Sequence, residues 1–112
     1  SISEYTVAPI FMNDSQKGGH EWLIEFNKEP DDMELFIDTL DEVLKKLNSD
    51  YEAKRYLDMA IARPRVHVAH QGLFYQWLKT NNKLGGQHKV PRLSNSRAYL
   101  KELLALYETE AG

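Results

Sequence analysis

The sequence predicts an α+β fold: a small mixed or antiparallel β-sheet, built from an N-terminal hairpin plus one or two later strands and layered with about three α-helices. Three observations point there. Two strand-like stretches near the N-terminus are separated by a polar, glycine-containing turn, apolar residues recur at helical spacing over residues 33–47, and a strand-like run at 66–70 is followed by two further helical patterns.

Taking the elements in order, residues 5–12 (YTVAPIFM) are rich in strand formers, and Pro9, which cannot donate to a ladder, directs this strand to a sheet edge. After NDSQKGG comes HEWLIEF, where Trp22, Ile24 and Phe26 alternate with Glu21, Leu23 and Glu25 at the strand period. The two stretches read as an antiparallel hairpin. Asp31 with Glu34 three positions on resembles a capping box, so a helix is expected to start there, just after Pro30. Met33, Phe36, Ile37, Leu40, Val43, Leu44 and Leu47 form its apolar stripe, and Asp32, Asp38, Asp41 and Glu42 are read as its solvated face. Residues 59–62 and 66–70 read as a strand pair broken at Arg63-Pro64-Arg65. A short helix over 73–80 would bury Phe74, Trp77 and Leu78; Ser94 is a suitable N-cap for a last helix carrying Leu100, Leu103, Leu104 and Tyr107 inward.

The length of 112 residues fits one domain with one modest core. Composition is that of a soluble globular domain, with 42% hydrophobic and 28% charged residues. No apolar run approaches the roughly 20 residues of a membrane span, and no secretory signal opens the chain. With no cysteine, disulfides and thiolate metal sites are excluded, and the expected compartment is the cytoplasm. The histidines lack metal-ligand spacing: His67 and His70, three apart in a strand, would point to opposite faces. The chain opens at Ser1 without methionine, compatible with a processed start or with a piece of something longer.

Charge is distributed unevenly. Residues 1–52 carry 13 acidic and 4 basic side chains, whereas residues 53–101 carry 1 acidic and 10 basic. That asymmetry suggests a solvated acidic face and a basic face for a polyanion, unless the two halves neutralise each other across the fold. The basic half contains KLGGQHKVPR, residues 83–92. Gly85 and Gly86 permit backbone conformations other residues resist, Lys83, Lys89 and Arg92 offer donors suited to phosphate or carboxylate, and Val90-Pro91 stiffens the base from which Lys89 projects. The spacing is not that of a P-loop, and composition alone favours an ordinary surface loop over an anion site.

Taken together, LNSDYEAKR (47–55), ARPRVHVA (62–69) leading into GLF (72–74), GGHEWLIEF (18–26) and GGQHKVPR (85–92) resemble the C-terminal domain of the auxin-responsive acyl-acid amido synthetases, adenylate-forming enzymes of plants with bacterial relatives. A bacterial member is expected. The resemblance spans nearly the whole chain, with Gln87, Lys89, Pro91 and Arg92 in its most specific element. It implies that residues 1–112 are the small mobile domain of a larger enzyme whose N-terminal adenylation domain is absent here. The implied activity is ATP-dependent: a carboxylic acid is adenylated and then joined to an amine, such as an amino acid. ATP, with Mg2+ held mainly by the N-terminal domain, is the implied cofactor. Lys89 would be the catalytic residue and would contact the phosphates together with Arg92 and Lys83 in support, while Gly85, Gly86, Gln87 and Pro91 would shape the loop. Tyr51 and Arg55 match the family's segment as interdomain contacts or as internal packing. The implied partners are the enzyme's own N-terminal domain and its substrates, with no nucleic acid and no membrane, and the isolated domain is expected to be inactive. Two other readings compete: a single-stranded nucleic-acid or anion-binding module using Phe74, Tyr75 or Trp77 as stacking platforms, and a protein-interaction domain.

Overall fold

A computed structural model describes residues 1–58, 60–80, 92–93 and 96–111. Strands β1 (Ile2–Ile10), β2 (Gly19–Phe26) and β3 (Arg65–Ala69) form one sheet in that order, β1 antiparallel and β3 parallel to β2. Helices α1 (Met33–Leu47), α2 (Ser49–Arg55), α3 (Leu73–Thr80) and α4 (Ala98–Ala111) cover it, making the expected α+β arrangement with four helices.

The hairpin, the edge position of β1 and the bounds of α3 follow the sequence pattern, and several details differ. The N-cap of α1 is Asp32, whose Oδ1 accepts from the Leu35 amide at 3.1 Å; Asp31 lies one residue too early to reach those amides. Residues 49–55, with too few apolar positions to show a stripe, form α2, capped by the Asn48 side chain, which accepts from the Asp50 and Tyr51 amides. Expected strand 59–62 is replaced, among its described residues, by a single bridge from Ile61 to Gly18. The chain instead turns through a 3-10 segment, Tyr56–Asp58, with Leu57 at φ 52°, while the Lys54 carbonyl accepts from the amides of Ala60 and Ile61. His70 falls just beyond β3, in the turn to α3. Ser94 lies outside the described residues, and at the start of α4 it is Ser96 Oγ that accepts from the Ala98 amide at 3.1 Å.

Register places Thr6, Ala8, Glu21, Leu23, Glu25, His67 and Ala69 on one face of the sheet, and Tyr5, Val7, Trp22, Ile24, Val66 and Val68 on the other. The first face meets α3 and α4. There Leu23, Leu73, Phe74, Trp77, Leu100 and Leu103 form a closed apolar core, with Tyr99 edge-on to Trp77 at 5.7 Å. Glu25 reaches from β2 to the start of α3, accepting from the amides of Gly72 and Phe74; Gly72, at φ +93°, makes the turn that a side chain would strain. The second face meets α1 and α2 through Phe26 against Phe36 (5.3 Å) and His20 against Tyr51 (5.9 Å). The α1 stripe is less enclosed than its periodicity suggests: Val43 and Leu47 are exposed, and Phe36, Ile37, Leu40 and Leu44 are half-buried.

Candidate functional site

Six of the loop residues singled out from the sequence, Lys83, Gly85, Gly86, Gln87, Lys89 and Pro91, lie outside the described residues. The returning limb is described. The Val7 amide donates to the Arg92 carbonyl at 2.9 Å, and Leu93 bridges to Val7 in parallel, so the limb lies along the free edge of β1. Arg92 Nε donates to Glu4 Oε1 at 2.7 Å, and the guanidinium sits over the Tyr5 ring, 5.4 Å from its centre. Glu4 Oε1 also accepts from the Tyr5 amide at 3.0 Å, which fixes the carboxylate to its own strand.

Five residues further on, Arg97 secures the entry to α4. One guanidinium nitrogen donates to the Pro9 carbonyl (2.8 Å) and another to Glu21 Oε1 (2.6 Å), while His67 Nε2 meets Glu21 Oε2 at 2.6 Å. Burial pushes the Glu21 carboxyl up, but the hydrogen bonds and charges of Arg97 and His67 outweigh it and hold the group below the usual carboxylate range. His67 is thus turned to Glu21. Neither Glu21 nor Arg97 stands out in the sequence, where the strand alternation reads Glu21 as a polar position.

Tyr51 and Arg55 are brought together, and they face inward. Asp41 of α1 is 6% exposed; its Oδ1 accepts from Tyr51 Oη (2.6 Å) and Arg55 Nε (2.8 Å), and its Oδ2 accepts from Arg55 Nη2 (2.6 Å). Arg55 Nη1 reaches the Ile61 carbonyl at 3.3 Å, so one side chain ties α1, α2 and the following turn. The Arg55 hydrogen bonds, assisted by Tyr51 and opposed by burial, lower the Asp41 carboxyl to about 2. Burial and the Asp41 carboxylate push the Tyr51 phenol well above its ordinary value. Of the two alternatives for Tyr51 and Arg55, internal packing is what their contacts make. Asp41, expected among solvated carboxylates, is instead the centre of this cluster, because Arg55 supplies a paired donor that makes its burial tolerable.

Beside the cluster, a cavity of about 500 Å³ opens between the sheet and α1–α2, lined by Tyr5, His20, Trp22, Leu44, Tyr51 and Leu93 among others. Burial, with the nearby charge of Lys54, lowers the His20 pKa.

The charge asymmetry resolves in part into pairing across the fold. Arg55 meets Asp41, Arg63 meets Glu34 and Asp38, Arg92 meets Glu4, and Arg97 meets Glu21: four arginines of the basic half on carboxylates of the acidic half. Of the aromatic residues proposed as nucleic-acid platforms, Phe74 and Trp77 are in the core and only Tyr75 is exposed. No helix of the described residues is long and apolar enough to cross a membrane.

A family model, GH3 family C-terminal domain, matches residues 1–98. No curated protein sequence matches the chain. Among solved structures it is similar to a GH3.15 acyl acid amido synthetase, with a TM-score of 0.68 and 22% identity over 96% of this chain and 18% of that one. It is also similar to AtGH3.15 acyl acid amido synthetase in complex with 2,4-DB, with a TM-score of 0.61 and 20% identity over 93% of this chain and 20% of that one. At those identities the likeness is one of fold, and the chain spans about a fifth of the length of either structure. With the match running through both strands of the hairpin, β3 and the returning limb of the loop, the chain belongs to the GH3 family, as its C-terminal domain.

Proposed function

We propose that residues 1–112 act as the mobile C-terminal domain of an ATP-dependent acyl-acid amido synthetase, closing over an ATP and acyl-adenylate site formed mainly by an N-terminal adenylation domain. The observation that carries this reading is the family match over residues 1–98, which includes the GGQHKVPR element, together with a fold shared with acyl acid amido synthetases. In the proposed reaction a substrate carboxylate oxygen attacks the α-phosphorus of ATP, and the bond to the β-phosphate breaks, giving acyl-adenylate and pyrophosphate. An amine nitrogen, of an amino acid in the simplest case, then attacks the acyl carbon. The bond to AMP breaks, and the nitrogen loses its proton to a base or water as the amide forms.

Within that scheme Lys89 contacts the phosphates and offsets the negative charge that builds as pyrophosphate leaves, an effect worth roughly 10²–10³-fold for a well-placed donor. Lys83 adds positive potential, Arg92 supports the loop, and Gly85, Gly86, Gln87 and Pro91 shape it. Mg2+ accompanying ATP takes its ligands mainly from the N-terminal domain. The basic loop is well suited to a phosphate-bearing cleft because several other cations of its half are already neutralised by carboxylates of this domain.

The test is acid-dependent ATP–pyrophosphate exchange by the full-length protein across a panel of carboxylic acids, followed by amide formation with amino acids. Exchange that depends on one class of acid is the expected result; a full-length protein that binds ATP yet shows no exchange with any acid would sink the proposal.

A further inference from the structure

The second face of the sheet carries a cavity that its own helices leave unfilled. Tyr5 of β1 and His20 and Trp22 of β2 stand on that face as an aromatic floor, with Tyr5 and Trp22 5.6 Å apart, while Leu44 of α1 and the Tyr51 ring of α2 enclose the space from above. Its volume of about 500 Å³ lies in the ordinary range of small-molecule sites. Protein interiors are otherwise close-packed, so a space of this size calls for an occupant. The polar groups narrow its class. Lys54 and Asp50 also line the cavity, but they pair with each other at 3.0 Å, and the Tyr51 hydroxyl is committed to Asp41 at 2.6 Å. Two lining groups have no hydrogen-bond partner among the described residues, the His20 imidazole and the buried Trp22 Nε1. Burial and the Lys54 ammonium both disfavour the imidazolium form of His20, which leaves a ring able to donate or accept. Nε1 is covered where the indole lies, and the space beside the ring lets it tilt to meet an acceptor. A carboxylate placed here would give up its water with no unpaired cation among the described lining residues in return, whereas an uncharged acceptor satisfies a donor that the fold leaves unmet.

We infer that the cavity between the sheet and α1–α2 is a binding site for an uncharged, flat aromatic molecule of about two rings that bears a hydrogen-bond acceptor, with Tyr5, Trp22 and Tyr51 supplying faces for the rings and His20 and Trp22 Nε1 the polar contacts. The site is read from this domain's own residues and does not depend on the reaction proposed above.

The experiment titrates the full-length protein with naphthalene carboxamide by calorimetry, in the absence of ATP, and records the thermal midpoint of every variant alongside. A dissociation constant of about 0.1 mM or tighter is expected. Naphthoate, which has the same rings and a charge, and decalin carboxamide, which has the same amide without flat rings, each bind at least roughly tenfold more weakly. Leu44→Trp, which fills the cavity from α1, removes binding at an unchanged midpoint, and His20→Phe, which keeps a ring and loses its polar atoms, weakens binding about tenfold. An absence of saturable heat with naphthalene carboxamide overturns the inference, and naphthoate binding equally well overturns the assignment of an uncharged ligand. Binding undiminished in a folded Leu44→Trp places the ligand elsewhere in the protein and overturns the site. If Leu44→Trp does not fold, His20→Phe and Trp22→Phe decide the matter, and wild-type affinity in both overturns it.

Discussion

The two faces of the sheet are held by different physics. Against α3 and α4 the contact is apolar and closed, with Leu23, Leu73 and Leu103 each 0% exposed. Against α1 and α2 the strand residues Val7, Ile24 and Phe26 are also buried, but the helix stripe above them is only half-covered, a cavity remains, and the deepest groups of α1 and α2 are the polar Asp41, Tyr51 and Arg55. Burial of hydrocarbon is non-directional and supplies stability; a buried, fully hydrogen-bonded ion pair supplies a particular angle between elements. Labour is divided between the two faces. Arg92 and Leu93 are fastened along the edge of β1, beside the open side.

The largest difference between the two faces lies in their leucines. Leu103→Ala is expected to cost about 4 kcal/mol, as a fully enclosed leucine leaves a cavity, whereas Leu44→Ala, already half-exposed beside open space, costs under about 2 kcal/mol. Denaturant titration of the two variants measures this, and equal losses would show that the faces are equivalent. Next in size, Arg55→Leu leaves the Asp41 carboxylate buried with its main partner gone, at an expected cost of about 3 kcal/mol. If that variant matches the wild-type midpoint, the α1–α2 side is not organised by the pair.

Acid sharpens the contrast further. The Asp41 carboxyl is lowered from 3.8 to about 2, so its contribution to stability is present above the unfolded-state value and is lost as the pH falls from about 4 towards 2. That contribution is about 2 kcal/mol, at about 1.4 kcal/mol per pH unit. Glu21, on the opposite face, is also lowered and acts with the same sign, to a lesser degree. Unfolding free energy measured against pH should therefore lose more of its acid slope in Asp41→Asn than in Glu21→Gln; the reverse order would place the stronger electrostatic coupling on the wrong face.

Much of the fold was legible because it rests on local periodicity. The alternation in HEWLIEF, the proline at the edge, the helix over 73–80 and the inward Leu100 and Leu103 depend on neighbours in sequence. The polar interior was harder to read. Asp41 stands four residues after Ile37 and three before Leu44, which puts it beside the apolar stripe, so a signal was present; its partner Arg55 is 14 residues away and belongs to a helix too short to announce itself. Glu21 and Glu25 show only as alternate strand positions in the sequence, yet both faces of this sheet are covered, and the two carboxylates serve Arg97 and the start of α3. The opposed charges of the two halves were visible in the sequence, while their pairing needed the topology.

The central functional claim is that Lys89 completes an active site built with another domain. Acid-dependent ATP–pyrophosphate exchange by full-length Lys89→Ala tests it most directly: the account expects a loss of roughly 10²-fold or more at an unchanged thermal midpoint. Exchange at the wild-type rate would contradict it.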